Sequence, residues 1–250
     1  MTDPELARRI EAHFFTAWPA MAEMDLDGWC VRLSSGYSDR ANCVTPLKQG
    51  ALHVADKLKW CERYYNDRQL PVIVRISDLC VQPGLDGWLQ ERGYKMSWAL
   101  ETASCALTHS PPPPNVTLEP AASDDWLDAA LAVDSRIVPH LTPFTFIVRH
   151  MPSPTCFARI GEGSSAVAIG AATVTDDLMA VFVMRTRTDA RRKGHGRAVL
   201  NALMAWGARQ GAQRAWLQFD RDNEAAKALY RTAGFAPVYH YHYRKQASAN

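Results

Sequence analysis

No two of the six cysteines, at positions 30, 43, 61, 80, 105 and 156, form a C-x-x-C pair. No histidines stand at the spacing that would complete a zinc site, so no metal is expected. Scattered thiols of this kind suit a reducing cytoplasm, where cysteine serves as a small apolar residue. Long uncharged apolar runs are missing, which excludes a bilayer-spanning helix. The opening Met1-Thr2-Asp3-Pro4-Glu5-Leu6 has no apolar signal core and leads into a polar-punctuated helix. A large charge imbalance is also missing: at a net +2, total charge names neither a nucleic acid nor an acidic membrane as partner. What remains is a cytoplasmic globular protein whose 250 residues, 47% of them hydrophobic, can bury one large core or two small ones.

Prolines are concentrated in one place. His109-Ser110-Pro111-Pro112-Pro113-Pro114-Asn115 can join neither a helix nor a central strand, and four prolines favour an extended spacer. It predicts an N-terminal domain over 1–108, a linker over 109–114 and a C-terminal domain over 115–250.

The C-terminal segment holds the most informative feature. Arg191-Arg192-Lys193-Gly194-His195-Gly196 lies between the apolar run Leu178–Met184 and a helical pattern from Arg197 onward. A helix leaves its first N–H groups without intrahelical partners and carries partial positive charge there. Gly194 and Gly196 have no side chain to obstruct a diphosphate and can take the φ values of a tight turn. Arg191, Arg192, Lys193 and Arg197 add charge. Alone, such a turn is equally a basic loop capping a strand–helix junction.

Downstream, Val199, Leu200, Leu203, Met204 and Gly207 recur at helical spacing up to Gly211. Ala215–Phe219 reads as a strand. Asp220, Asp222 and Asn223 are helix-start residues before Glu224–Thr232, and Gly234 lies just past that helix's end. On this second helix Asn223, Ala226, Lys227 and Tyr230 share one face, with Ala225 and Leu229 expected toward the sheet. An amide, a small residue, a lysine and a phenol suit a groove for an extended amide-bearing ligand; a half-exposed helix with a solvated lysine and a surface tyrosine is the alternative.

Together, Arg191-x-x-Gly194-x-Gly196 and Asn223-x-x-Ala226-x-x-Leu229-Tyr230-x-x-x-Gly234-Phe235 resemble the acetyl-CoA signature of the GNAT superfamily of N-acetyltransferases, over roughly residues 115–245. The resemblance implies an α/β (α+β) fold with a mixed central sheet flanked by helices. It implies that backbone N–H groups over Arg192–Arg197, His195 included, bind the CoA pyrophosphate, and that the preceding strand splays so that Val183, Met184, Arg185 and Thr186 pair with the pantetheine arm. Asn223 would hydrogen-bond that arm beside Ala226, the backbone N–H near Met184 would stabilise the oxyanion, and Tyr230 would protonate the departing thiolate. Proximity supplies much of the rate, and neither a metal nor a covalent enzyme intermediate is required.

A general base is not legible. Leu178–Met184 contains no titratable side chain, and Asp134, His140, Asp176, Asp177, His240 and His242 are the candidates elsewhere. Deprotonation through ordered water, or an amine arriving neutral, is expected instead. Acceptor residues are expected from Pro139–Phe146, where Phe144 and Phe146 could form an aromatic wall, and from Phe182. In Tyr239-His240-Tyr241-His242-Tyr243, strand alternation puts the tyrosines on one face and the histidines on the other.

The N-terminal segment parallels the C-terminal one. Val54–Asn66 reads as a helix, Pro71–Ile76 as a strand, Gly84–Arg92 as a helix, and Gly93-Tyr94 leads into the apolar Met96–Leu107. This predicts a tandem of two related folds, with generic α/β alternation as the alternative. The first copy has no R-x-x-G-x-G, and offers Leu89 or Gln90 where the second has Tyr230, so it is expected to be degenerate. The expected function is transfer of an acetyl group from acetyl-CoA to a primary amine of a small molecule, by a monomer or a homodimer. A protein lysine or N-terminal acetyltransferase and a non-catalytic acyl-CoA-binding module are the rivals.

Overall fold

The structure is a computed structural model and describes residues 3–247. In chain order the elements are α1 (Pro4–Ala17), β1 (Ala22–Leu26), β2 (Trp29–Leu33), β3 (Val44–Pro46), α2 (Val54–Asn66), β4 (Ile73–Ser77), α3 (Leu85–Glu91) and β5 (Lys95–Ala106). Then follow β6 (Thr117–Glu119), α4 (Asp124–Val133), α5 (Leu141–Arg149), β7 (Thr155–Ile160), β8 (Ala168–Thr175), β9 (Leu178–Thr186), α6 (His195–Arg209), β10 (Arg214–Asp220), α7 (Glu224–Thr232) and β11 (Ala236–Lys245). Among the described residues no helix is long and apolar enough to cross a membrane, and all six cysteines are free thiols.

The elements form two compact units. The first combines the chain up to Pro19 with Thr102–Val238. Its strands run in the order β5-β10-β9-β8-β7-β6. β9 and β10 are parallel, whereas β8 is antiparallel to both β9 and β7. Both faces of the central strands are covered, which explains why β9 and β10 read as nearly continuous apolar runs. Met179 and Val181 of β9 and Ala215, Leu217 and Phe219 of β10 join one core cluster with Val199, Leu200 and Leu203 of α6. The alternate residues Phe182 and Trp216 pack together on the other face, with Trp18 just beyond α1 against Phe182. Burying each large side chain contributes about 1.5–3 kcal/mol.

The second unit combines Ala20–Glu101 with the chain from Tyr239. Its order is β1-β2-β3-β4-β11, with β3 and β4 parallel and the remaining pairs antiparallel. Leu58, Cys61 and Tyr65, spaced along one face of α2, pack on Trp29, Val31, Val44, Val74 and Ile76. Each unit therefore contains the same strand–helix–parallel strand sequence: β3-α2-β4 in one, β9-α6-β10 in the other.

These units differ from the domains expected at 1–108 and 115–250. Residues 109–114 are irregular and largely exposed, as four prolines require, but they lie inside the first unit. The reason is that the last strand of each chain half has its second part in the other unit. β5 carries Thr102–Ala106 beside β10, and β11 carries Tyr241–Lys245 beside β4. α1 likewise packs on β8 and β9.

Candidate active site

The site of the first unit begins where two parallel strands part. β9 and β10 pair from Leu178↔Arg214 to Val181↔Leu217 and no further, although β9 continues to Thr186 and β10 to Asp220. Val183–Thr186 thus present one backbone edge to the opening. On the other edge, Phe182 pairs with Ala171 and Arg185 with Ile169, so Val183 and Met184 both stand opposite Gly170. This is a β-bulge, which removes one residue from the ladder and re-aims its neighbours. Val183 takes φ +54°, a left-handed conformation that costs a β-branched residue about 1–3 kcal/mol. Gly170 makes the bulge possible: a Cβ there would stand 2.8 Å from Met184 Sδ and 2.7 Å from Val199 Cγ1.

A few residues on, the chain makes the basic turn. Gly194 is the N-cap of α6 with φ +81°, and no side chain caps the helix. Arg192 is also left-handed, at φ +61°. Ala198 N–H donates to the Gly194 carbonyl at 3.0 Å, but the backbone N–H groups from Arg192 to Arg197 donate to no group among the described residues. A Cβ on Gly194 would meet nothing within 4 Å, whereas one on Gly196 would come within 3.3 Å of Thr186 Oγ1 and 3.6 Å of Leu229 Cδ2. Gly196 thus lets the turn approach β9 and α7, and Gly194 faces open space. Arg191 Nε reaches the Thr186 carbonyl at 3.4 Å and Arg197 bonds the Thr232 hydroxyl, so these two side chains brace the turn.

α7 lies alongside. Asn223 is its N-cap, and Oδ1 accepts from Ala226 N–H at 3.0 Å; Nδ2 has no partner among the described residues. Lys227 is paired with Glu224 at 3.0 Å. Tyr230 is 8% exposed, its ring flanked by Phe219 and Phe235 at 5.2 and 6.0 Å between centroids, which excludes the surface-tyrosine alternative. One expectation fails on this helix: Ala225 is exposed, and it is Ala226, with Leu229 and Tyr230, that packs toward the core. A shift of about 100° per residue separates neighbouring positions, so a one-residue error turns a side chain off the face.

The expected acceptor residues are not brought together as an open aromatic wall. Phe144 is fully buried against Trp126; packing claims it. Phe182 is buried between Trp18 and Trp216, at 4.9 and 5.6 Å. Phe146 is half-exposed and stacks on His150 at 3.9 Å. Of the candidate bases, Asp134 touches the splayed part of β9, accepting from Arg185 Nε at 3.0 Å. It also takes a two-pronged bond from Arg136, 2.8 Å on each oxygen. Burial pushes its carboxyl up, but the hydrogen bonds and charges of Arg136 and Arg185 outweigh this and hold it below the usual carboxylate range. Asp134 is an anchor for Arg185 and a poor base. Asp176 and Asp177 precede β9 at its other end. His240 and His242 belong to the second unit, engaged with Asp78 and Asp86.

Sequence reading missed the contribution of α1. His13, on α1, accepts from Trp216 Nε1 at 3.0 Å through Nδ1, and Trp18 covers Phe182. No motif in residues 4–18 signals this; the pairing is long-range and hydrophobic periodicity names no partner.

Comparison with known proteins agrees with this geometry. A family model described as "Probable histone acetyltransferase Rv0428c C-terminal" matches residues 6–245. The chain is 28% identical over 246 residues to the uncharacterized N-acetyltransferase YobR of Bacillus subtilis, covering 95% of this chain and 97% of that protein. Among solved structures it is similar to a GCN5-related N-acetyltransferase from Kribbella flavida, with TM-score 0.64, 18% identity, and 97% and 96% of the two chains covered. It is also similar to a tandem GNAT protein from the clavulanic acid biosynthesis pathway, with TM-score 0.55, 10% identity, and 83% and 76% covered. With the match spanning nearly its whole length, the chain belongs to this family of GNAT N-acetyltransferases.

Proposed function

We propose that the protein transfers an acetyl group from acetyl-CoA to the primary amine of a small molecule, in the first unit, by direct attack within a ternary complex. The carrying observation is the row of unpartnered N–H groups from Arg192 to Arg197 around the open space at Gly194, beside the stretch Val183–Thr186 that β10 leaves unpaired. A diphosphate fits the first and an extended amide chain the second, so the residues present suit acetyl-CoA. When bound, acetyl-CoA supplies an activated acetyl group with a thiolate leaving group.

The residues divide the remaining work. The turn amides and the exposed guanidinium of Arg192, with Lys193, neutralise phosphate charge. Asn223 Nδ2, left over after Oδ1 caps α7, donates to the pantetheine arm, and the small Ala226 keeps the groove open. The backbone N–H released by the bulge at Val183 and Met184 stabilises the oxyanion. The Tyr230 hydroxyl gives its proton to the leaving sulfur. No side chain of Leu178–Met184 can take the amine's proton, so water or an already neutral amine serves.

A protein acceptor is the second reading, favoured by the description of the matching family. A small acceptor is favoured by the extra unit and by the lack of an evident acidic track in the sequence for a lysine-rich peptide. The second unit, built by a copy that lacks Tyr230 and the glycine turn, is assigned to acceptor selection or support.

The test is a panel of small amines and lysine peptides, monitored by free-thiol release. The expected result is turnover with a small amine and none with the peptides. Tyr230→Phe lowers kcat by about 10²-fold and leaves acetyl-CoA affinity intact; an unchanged rate removes Tyr230 from its role. Gly194→Glu abolishes acetyl-CoA binding, and retained affinity refutes the phosphate-turn assignment.

A further inference from the structure

The second unit contains a turn equivalent to the one at Arg191–Gly196. Counting back from the N-cap of each helix, Ala51 and Leu52 before His53 of α2 correspond to Arg192 and Lys193 before Gly194 of α6. The two turns differ in what their amides meet. In the first unit they donate to no protein group. In the second, Ala51 N–H donates to Asp27 Oδ1 at 3.0 Å and Leu52 N–H to Asp27 Oδ2 at 2.7 Å. The same carboxylate lies 2.8 Å from Lys57 Nζ, whose side chain is wholly buried. Lys57 also donates to the carbonyls of Asp27 and Gln49, each at 2.6 Å.

The space at the two turns gives the same contrast, although Gly50 stands three residues before its N-cap and Gly194 is itself one. A Cβ on Gly194 would enter open space, but a Cβ on Gly50 would fall 2.2 Å from Asp27 Oδ2 and 2.1 Å from the Asp27 carbonyl oxygen. Gly50 is bare because Asp27 occupies the space. Asp27 holds φ +48° in the turn between β1 and β2, and Leu47 and Lys48 N–H tie that turn down through the Gly28 carbonyl at 3.0 and 2.8 Å.

We infer that the turn before α2 is an anion-binding nest whose ligand is the chain's own Asp27 carboxylate, so that the second unit is closed to the phosphates of a nucleotide cofactor and the protein binds one acyl-CoA per chain. Lys57 makes the inference sharp. With Asp27 its carboxylate partner, removing that group leaves a buried ammonium and two turn amides without a counter-charge, and a small external anion restores all three. The fully ionised state of Asp27, pulled down to about 2 by Lys57 first and the Ala51 and Leu52 amides next, agrees with a carboxylate acting as ligand. The stoichiometry rests on the acetyl-CoA reading of the first unit; the occupied nest does not.

Two measurements test it. Asp27→Gly keeps the left-handed backbone and removes the carboxylate. The expected result is a lowered Tm that rises saturably with acetate or formate, while the wild-type Tm does not respond; equal responses of the two proteins overturn the inference. If Asp27→Gly does not fold, the wild type decides: in an amide NMR titration with pyrophosphate and then CoA, Ala51 and Leu52 signals stay in place, and saturable shifts there overturn it. Signals from Arg192–Arg197 report the cofactor reading separately. Their failure to shift with CoA refutes that reading and leaves the Asp27 nest judged by its own signals.

Discussion

Adding one methyl group at Gly170 tests how the transfer site is held. Gly170 on β8 stands opposite the bulge, and the new Cβ would lie 2.7 Å from Val199 Cγ1, 2.8 Å from Met184 Sδ and 2.9 Å from Leu203 Cδ1. Val199 and Leu203 are fully buried on α6 and cannot retreat without moving the helix. Met184 is only partly buried and unbranched, so it yields first. Overpacking of this kind costs about 1–3 kcal/mol, which for a chain of this size lowers Tm by about 2–12 °C. Because Met184 belongs to the bulge, the same change displaces the backbone N–H assigned to the oxyanion, and a shift of about 1 Å there costs about 10²-fold in kcat. Gly87→Ala is the control: Gly87 lies in the exposed part of α3 with nothing within 4 Å of the new Cβ, so it gains about 0.5–1 kcal/mol. Denaturant midpoints and thiol release measure both. Met184→Ala added to Gly170→Ala should recover part of the stability, since it removes one of the three overlaps. An unchanged midpoint for Gly170→Ala, or equal effects at 170 and 87, would refute the reasoning.

Further outcomes follow from the same contacts. Burial pulls the His13 imidazole down to about 4 from an ordinary 6.5, against the opposing charges of Asp176 and Asp177. Between those values the unfolded chain holds a proton the folded chain does not, so stability is lost as pH falls from 6.5 to 4, by on the order of 3 kcal/mol; His13→Gln flattens this dependence, and an unaltered slope excludes His13 as its source. Asn223→Asp keeps the cap on α7 and hence Tm, but loses the Nδ2 donor, so acetyl-CoA affinity falls; Asn223→Ala costs about 1 kcal/mol in addition. Equal affinity in Asn223→Asp would limit Asn223 to capping.

Much of this protein is legible in one dimension. The helices at 54–66 and 224–232 and the helix following the glycine turn were readable because amphipathic spacing, N-cap residues and terminal glycines are local signals. Gly93 and Gly234 end their helices at φ +82° and +90°, as a left-handed C-terminal residue should. The basic turn before α6 was readable for the same reason: glycine at 194 and 196 announces a strand-to-helix junction whose first N–H groups lack helical partners. Asn223 was readable as a helix starter, and the structure adds that the starter uses only half of its amide.

Other features needed the tertiary structure because they are agreements between distant residues. Alternation in Leu178–Thr186 cannot reveal that pairing stops at Val181 or that Val183 bulges, since both depend on the neighbouring strands and on the missing side chain at Gly170. The prolines at 111–114 marked a true break in regular structure, yet not the unit boundary. Where a strand docks is decided by the partner that buries it, and the second parts of β5 and β11 each belong with the other half of the chain. Asp27 in its turn looks like any hairpin aspartate, and Lys57 like any helix lysine. The sequence by itself determined the local elements, the glycine turn and the family. Only folding decided what each turn faces: open space at Gly194, and the chain's own carboxylate at Gly50.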